Sequence, residues 1–395
     1  MSRDWNVANG VYIPKEQNSS DIGQFRPISL LNVEGKMFFA VLAKRLTKYL
    51  LSNGYVDSAV QKGGIPGVPG CLEHASMIWD AIQRVKSCKG DLHVVWLDLV
   101  NAYGAVPHSL IWRTLESYHV PDMIVGILKE YFGNFRMRFT TRSYTTDWTR
   151  LQVGIAMGCT VSSILLVLAM QVLLKATEFE AGCVDVGAGA VARPLKAFMD
   201  DTTVMENRAD KTQQVLERLD SLMVWSRIKF KPAKSRSLSV VKGKVVNDIK
   251  FQVGGQAIPT VCEEPVKSLG RWYDCNLKDS KQSQAVVKAN EEGLKKIDRT
   301  RLQGKFKVWI VQFMHIPKLL WPLMVYEIGL CAVERIEQKI GSYTRKWLGL
   351  PPGLTSVALY SRSAKLKLPL RSVVEEFKVS KVRSQMMLSY SSDEL

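Results

Sequence analysis

The pattern of apolar and polar positions changes its period along the chain, and each period predicts one kind of element. Apolar residues three and four positions apart are typical of a helix with one buried face. In the segment "VEGKMFFAVLAKRLTKYLL", apolar residues recur at that spacing, with Lys44, Arg45 and Lys48 between them. The same spacing predicts helices over residues 33–51, 72–87, 109–119, 160–177 and 210–228, and a mainly helical, basic region beyond about residue 276.

Shorter apolar runs predict strands. Residues 92–100, "LHVVWLDLV", are apolar and β-branched, as buried strands are. Residues 135–153 alternate and predict a hairpin, and residues 193–207, "RPLKAFMDDTTVMEN", predict a second hairpin with two aspartates at its turn. Further strands are predicted over residues 234–241 and 249–255. This order of strand, helix, hairpin, helix and strand is typical of an α+β sheet layered with helices.

The net charge of the chain indicates what kind of partner the protein binds. The 395 residues include 54 Lys and Arg against 37 Asp and Glu, a formal net charge of +17. Such a surplus indicates a polyanionic partner, either nucleic acid or an acidic membrane surface. The longest almost purely apolar segment, residues 164–174, is far shorter than the ~18 residues that span a bilayer. We therefore expect nucleic acid and no membrane partner.

The distribution of cysteines and histidines indicates an intracellular protein. The seven cysteines form no C-x-x-C pair, and the five histidines are dispersed. This pattern argues against a disulfide scaffold and against a zinc site, and it favours a reducing compartment. The N-terminus has no apolar core typical of a signal peptide. We expect an intracellular protein of the nucleus or cytoplasm that is not secreted.

Three aspartates could carry chemistry. Asp200 and Asp201 lie inside an apolar run, where ionised carboxylates are costly unless something compensates their charge. At a hairpin turn the two side chains can converge, and Mg²⁺ prefers such oxygen ligands. Asp98 is the one charged residue at the end of the predicted strand at 92–100 and would complete a two-metal centre for phosphoryl or nucleotidyl transfer. The alternatives are a solvated polar turn for the pair and a strand-end or helix-cap role for Asp98.

Six blocks carry a family resemblance. They are "QFRPISLLNVEGK", "WLDLVNAYGAVPH", "GIAMGCTVSS", "AFMDD", "KFKPAKS" and "VKSLGRWY", in this order. Together they resemble the reverse transcriptase of non-LTR (LINE-type) retrotransposons. The resemblance implies a right-hand fold of fingers, palm with a small antiparallel sheet, and helical thumb. It also implies an RNA-directed DNA polymerase that uses an RNA template, a DNA primer, dNTPs and two Mg²⁺ ions, with Mn²⁺ as the alternative metal.

The resemblance also implies roles for single residues. Asp98, Asp200 and Asp201 would hold the metals. Tyr103 would lie under the incoming sugar and exclude a 2′-hydroxyl, with a core aromatic as the alternative. Arg26 would contact the triphosphate, for which a bidentate guanidinium is suited; the alternative is a solvated loop residue.

Further matches lie downstream in the palm. Lys234 would act as general acid for the pyrophosphate leaving group, whereas a merely basic face is the alternative reading of "KPAKS". Gly158 would let the backbone approach a template base, and its alternative is an ordinary turn glycine. Two positions depart from the family: Met157 replaces a frequent Gln next to template and nucleotide, and Gly104 replaces a frequent Asp that is not a metal ligand. Met157 removes a polar contact at that place, whereas we expect the change at Gly104 to be tolerated. Either would also suit a decaying copy.

The resemblance divides the chain into four regions. They are an N-terminal extension with fingers at 1–90, a palm with an inserted finger hairpin at 91–275, a basic helical thumb at 276–350 and a tail at 351–395. In the thumb, Phe306 and Trp309 are interleaved with Lys and Arg, which suits a helix tracking a phosphate backbone or a solvated helix face.

Two other functions stay open. An RNA-directed RNA polymerase shares palm and carboxylates, and Tyr103 is the residue that argues against it. A catalytically inactive nucleic-acid-binding remnant is the second alternative. We expect a fragment, because there is no room for an endonuclease before residue 24 and no Cys/His knuckle after residue 350. The sequence makes no prediction of the oligomeric state.

Overall fold

The chain forms two compact units, which are described separately. In this computed structural model, the first unit comprises Met1–His74 and Ile78–Val266, and the second comprises Ala75–Met77 with Lys267–Ser391. The predicted boundaries between fingers, palm, thumb and tail stay predictions. The residues that the structure describes are 2–15, 18–65, 68, 70–141, 143–179, 181–361 and 368–391.

The strands of the first unit are short and mostly antiparallel. They are β1 (Val7–Pro14), β2 (Phe25–Leu31), β3 (Leu92–Leu97), β4 (Arg136–Phe139), β5 (Thr149–Arg150), β6 (Val184–Gly187), β7 (Ala190–Ala192), β8 (Leu195–Phe198), β9 (Asp201–Glu206), β10 (Arg236–Val241), β11 (Lys244–Val246), β12 (Gln252–Val253) and β13 (Gln256–Ala257).

A five-stranded antiparallel sheet forms the centre of this unit. Its strands follow the order β11, β10, β3, β9, β8, so that β3 lies in the middle. All six residues of β3 are buried, which confirms the predicted strand and ends it at Leu97. In the register of β3 and β9, Leu97 lies opposite Thr202. The C-terminal end of β3 therefore meets the turn that joins β8 to β9.

Helices cover this sheet and confirm the helical predictions. The helix α6 is buried along almost its whole length, because its apolar residues surround the axis instead of forming one face. The helices of the first unit are α1 (Val33–Ser52), α2 (Gly70–Ser87), α3 (Ala102–Ala105), α4 (His108–Ser117), α5 (Asp122–Gly133), α6 (Ser162–Glu178) and α7 (Ala209–Trp225).

A second sheet, of four strands, begins with a hairpin that the sequence does not reveal. Its order is β2, β1, β4, β5, and β1 pairs antiparallel with β2 and parallel with β4. Arg26 therefore lies on the strand β2, not on the loop that was its alternative position. Since β2 is an edge strand, the missing N–H of Pro27 costs no hydrogen bond to a further strand.

The second unit is mainly helical, as predicted beyond residue 276. A π-helical turn at Val311–His315 joins two of its helices into the continuous run Gly304–Val325, which by length and composition alone could cross a membrane, a test that core helices also pass. The expectation of no membrane partner stays a prediction. The elements are β14 (Val266–Ser268), β15 (Arg271–Tyr273), α8 (Ser280–Asp298), α9 (Gly304–Ile310), α10 (Ile316–Val325), α11 (Leu330–Leu348), α12 (Ser356–Tyr360) and α13 (Val373–Ser389).

Candidate active site

Asp98 directly follows the central strand β3, and a basic loop holds its backbone. The backbone N–H of Asp98 donates to Ser235 Oγ at 3.2 Å. Its carbonyl accepts a hydrogen bond from the backbone N–H of Lys231 at 2.7 Å. The half-buried Asp98 side chain thus emerges where the sheet ends, beside the loop that carries Lys231 and Lys234.

The acidic pair lies at the turn of the neighbouring hairpin. Phe198 pairs with Asp201 across β8 and β9, which leaves Met199 and Asp200 as the turn residues. Leu97 lies opposite Thr202 in this antiparallel pair of strands. Asp98, which follows Leu97, and Asp201, which precedes Thr202, therefore lie at the same end of the sheet. The predicted convergence of the three aspartates is therefore a consequence of strand register.

The surroundings of these carboxylates disfavour their charged forms. Burial raises the pKa of Asp98, although the positive charges of nearby Lys and Arg side chains oppose this shift. Burial and the charge of Asp98 also raise the pKa of Asp200. Burial, then Asp200 and Asp98, raise the pKa of Asp201 to about 6, even though solvent reaches its side chain. Repulsion of this kind is relieved by a bound cation.

One cleft collects most of the predicted site residues. Asp201 and Gly158 are not among its lining residues, although Asp201 directly follows Asp200, which is. Six of the eight predicted residues line the cleft: Arg26, Asp98, Tyr103, Met157, Asp200 and Lys234.

Two lysines that line the cleft, Lys15 and Lys231, were not predicted from the sequence. The positive charges of Lys231 and Lys15 both act on the Asp98 carboxylate and lower its pKa. Lys231 lies in the basic segment "KFKPAKS", which the sequence indicated as part of the site. Nothing in the sequence distinguished Lys231 from Lys234. Lys15 enters the cleft at the end of the hairpin strand β1, and the sequence carries no sign of that pairing.

Tyr103 lies on α3, the short helix that follows Asp98. Its side chain is half-buried, hydrogen bonds with Ser163, and has a pKa raised by burial and by the charge of Asp200. The ring also packs against the apolar core. The ring therefore supports the core and also lines the cleft beside Asp200, and its role under the incoming sugar stays a prediction.

Met157 and Gly158 form a backbone junction with β2. The carbonyl of Met157 accepts a hydrogen bond from the Ser29 N–H at 2.7 Å. Gly158 has φ +115°, and an added Cβ would lie 2.5 Å from the Ser29 carbonyl oxygen. Glycine is thus required by local packing, and a template contact at Gly158 stays a prediction.

Gly104 also has a local packing reason. An added Cβ would lie 2.2 Å from Asn101 Nδ2, and Gly154 packs so closely that its own added Cβ would meet the Gly104 Cα at 2.6 Å. A side chain at position 104 would therefore require the Asn101 side chain to move.

The carboxylates suit a divalent cation as a set of donors. Asp98, Asp200 and Asp201 offer the hard oxygen ligands that Mg²⁺ prefers. Burial raises the pKa of all three, and neighbouring carboxylates add to the shift for Asp200 and Asp201. Across the described ranges, no three His, Cys, Asp or Glu side chains are already close enough together to hold a metal ion. Metal binding would thus require the aspartate side chains to turn inward, and the expected lack of a zinc site stays a prediction.

Comparison with known proteins identifies the fold and the relatives. The model of the family described as "Reverse transcriptase (RNA-dependent DNA polymerase)" matches residues 13–273. A Retrovirus-related Pol polyprotein from a type-1 retrotransposable element R2 of Bradysia coprophila is 24% identical over 89% of this chain and 40% of its own length. The corresponding R2 polyprotein of Nasonia vitripennis is 24% identical over 86% of this chain and 33% of its own length. The chain spans less than half the length of these relatives.

Solved structures show the same fold at low sequence identity. Apo telomerase from Candida tropicalis has a TM-score of 0.52, 11% identity, and matches covering 96% of this chain and 64% of that chain. Telomerase from the same organism with a TWJ fragment of telomeric RNA has a TM-score of 0.51 and 9% identity, covering 99% and 63%. The predicted α+β right-hand polymerase fold is confirmed.

Proposed function

Because this chain belongs to the reverse transcriptase family, we propose that it is an RNA-directed DNA polymerase of the non-LTR retrotransposon type. It would add deoxynucleotides to the 3′-hydroxyl of a DNA primer on an RNA template. The observation that carries this proposal is the convergence of Asp98 with Asp200 and Asp201 at one end of the five-stranded sheet.

The carboxylates would hold the metal ions that the reaction needs. Members of this family generally use divalent metals, and we assign Mg²⁺, with Mn²⁺ as an alternative, to Asp98, Asp200 and Asp201. When bound, two such ions lower the pKa of the primer hydroxyl and neutralise charge on the phosphates. The chain would contribute the strand register that places the three aspartates at one end of the sheet, from which their side chains would turn toward the metals.

The cations of the cleft would bind the triphosphate. Arg26 on β2 and Lys15 at the end of β1 offer charged hydrogen-bond donors, and a guanidinium can bind phosphate through two parallel bonds. Lys231 and Lys234 lie across from them on the loop beside Asp98. The new bond joins the primer oxygen to the α-phosphorus, and Lys234 would give a proton to the departing pyrophosphate.

An RNA template is the partner that the charge and the relatives support. The net charge of +17 favours a polyanion, and one structural neighbour is a telomerase in complex with a fragment of telomeric RNA. Single strands and duplexes both bind such surfaces through phosphate contacts.

Primer extension tests the proposal directly. The purified chain is given a DNA primer on an RNA template, Mg²⁺, and either dNTPs or NTPs, and products are resolved by length. We expect extension with dNTPs on RNA. Equal use of NTPs would favour an RNA-directed RNA polymerase, and binding without any extension would favour the inactive remnant. The matched control replaces Asp98 with Asn.

A further inference from the structure

A buried glutamine outside the cleft contacts the turn that carries the acidic pair. Gln61 is fully buried and lies in a segment that runs beside β8. The backbone N–H of Ala197 donates to the Val60 carbonyl at 2.8 Å, and the Lys62 N–H donates to the Ala197 carbonyl at 3.0 Å. This segment therefore adds a short parallel bridge to the edge of the five-stranded sheet.

The carboxamide of Gln61 is bonded to both backbone groups of Met199. Its Oε1 accepts from the Met199 N–H at 2.8 Å, and its Nε2 donates to the Met199 carbonyl at 3.0 Å. The same Oε1 also accepts from the Gly63 N–H at 3.0 Å. One side chain thus satisfies the donor and the acceptor of a turn residue that lies between two paired strands.

Met199 needs such support because of its backbone conformation. Its φ is +60°, a left-handed value that is unfavourable for a residue with a side chain. Such conformations persist where the surroundings hold them, and they concentrate at functional sites. The next residue in the chain is Asp200, so any relaxation of Met199 rotates the peptide that carries the acidic pair.

Packing of the same segment restrains the turn as well. A Cβ added at Gly63 would lie 2.2 Å from the Met199 backbone nitrogen and 2.8 Å from the Phe198 carbonyl carbon. Position 63 therefore has no room for a side chain, because the backbone of Gly63 lies directly against the turn. Gln61 and Gly63 hold the turn by two different means, hydrogen bonding and close backbone contact.

We propose that Gln61 is a positioning residue, which holds Met199 in its left-handed conformation and so directs the carboxylates of Asp200 and Asp201. The catalytic consequence rests on the proposed polymerase function, whereas the structural consequence does not. Without the carboxamide, the turn relaxes, and the carboxylates converge less readily on a cation. A misplacement of about 1 Å costs on the order of 100-fold in rate at an active site.

The first experiment measures the turn itself. In Gln61→Met, which keeps the length and volume of the side chain, the Met199 amide loses its acceptor. We expect amide hydrogen exchange at Met199, measured without metal or substrate, to be roughly fivefold faster or more, the factor that one lost hydrogen bond implies. The control is Gln171→Met on α6, because Gln171 is equally buried and its carboxamide has no hydrogen-bond partner among the residues that the structure describes.

The second experiment measures cation binding and turnover. Mn²⁺ binding to the nucleotide-free protein, followed by electron paramagnetic resonance, should weaken in Gln61→Met and not in Gln171→Met. Primer extension should fall roughly 10- to 100-fold in kcat, with a higher Mg²⁺ requirement and an unchanged Kd for primer–template. Gly63→Ala, which displaces the turn while keeping Gln61, should show the same pattern.

Two results would overturn the inference. One is wild-type exchange at Met199 together with wild-type Mn²⁺ affinity in Gln61→Met. The other is an equal rise of exchange throughout the sheet, with unchanged Mn²⁺ affinity in the folded fraction, which would make Gln61 a residue of general stability. If the wild-type chain shows no extension, the proposed function fails, while the exchange and Mn²⁺ measurements still decide on Gln61.

Discussion

The acidic group (Asp98, Asp200 and Asp201) and the basic group (Lys15, Arg26, Lys231 and Lys234) of the site are held in different ways. The acidic group lies at the end of the central sheet, where strand register determines each backbone position. The basic group comes from the second sheet and from a loop, and its four side chains are exposed.

Because of this difference, the two groups should tolerate substitution to different degrees. Carboxylates that share one cation must be placed within tenths of an ångström, and no other side chain can replace one of them. Charges that attract a triphosphate act over several ångströms and support one another. We therefore expect single losses in the acidic group to be far more damaging than single losses in the basic group.

The largest expected effect is the loss of one carboxylate. Asp98→Asn or Asp200→Asn should lower kcat for primer extension by about 100-fold or more, because the variant loses a carboxylate that would hold the cation stabilising the transition state. Binding of primer–template, measured by fluorescence anisotropy, should stay near the wild-type value. Asp248→Asn, at an exposed position of the same unit, is the control. Activity within tenfold of wild type in both variants would contradict the metal assignment.

The next effect concerns the choice of sugar. A close-packed ring at Tyr103 would have to move for an extra hydroxyl, and overpacking costs typically ~1–3 kcal/mol. That corresponds to roughly 5- to 150-fold discrimination. Tyr103→Val should raise the use of NTP relative to dNTP at least several-fold, while Tyr144→Val, at an exposed tyrosine outside the cleft, should not. Equal use of both nucleotides by the wild type and by Tyr103→Val would rule out this gate.

Single losses in the basic group should be smaller. Lys15→Ala or Lys231→Ala removes one exposed charge, worth about 1 kcal/mol when solvated, and should raise the KM for dNTP roughly fivefold. Changing both should multiply the two effects. Lys234→Ala should differ by lowering kcat if it is the proton donor. The expected contrast between the groups fails if either single lysine variant is as inactive as Asp98→Asn.

The smallest effect is on stability without metal. The pKa of Asp201 is raised to about 6, so the folded state holds its proton more tightly than the unfolded state. The contribution of Asp201 to stability is therefore present below its unfolded pKa, near 4, and is lost as the pH rises through about 6. In chelator, Asp201→Asn should raise Tm relative to wild type above pH 6 more than below it. A pH-independent difference would show that the raised pKa is absent.

Sequence reasoning predicted the acidic group because its signal is local. An apolar strand ending in Asp98 and an apolar hairpin turning at Asp200 each stand out, and antiparallel register brings them together. Lys15 and Gln61 carry no such signal. Each reaches the site through pairing with a distant segment, and Gln61 contacts backbone atoms, which every residue possesses.

The order of strands in the central sheet has a consequence for biosynthesis. The ribosome makes β3 first, yet its two neighbours in the sheet are β9 and β10, which emerge much later. Until Val241 has left the ribosome, the strand β3, whose six residues are all buried in the folded protein, lacks one of its partners. Contacts between distant segments form slowly and leave apolar strands prone to aggregation. A nascent or truncated chain that ends before β10 is therefore a natural substrate for chaperones.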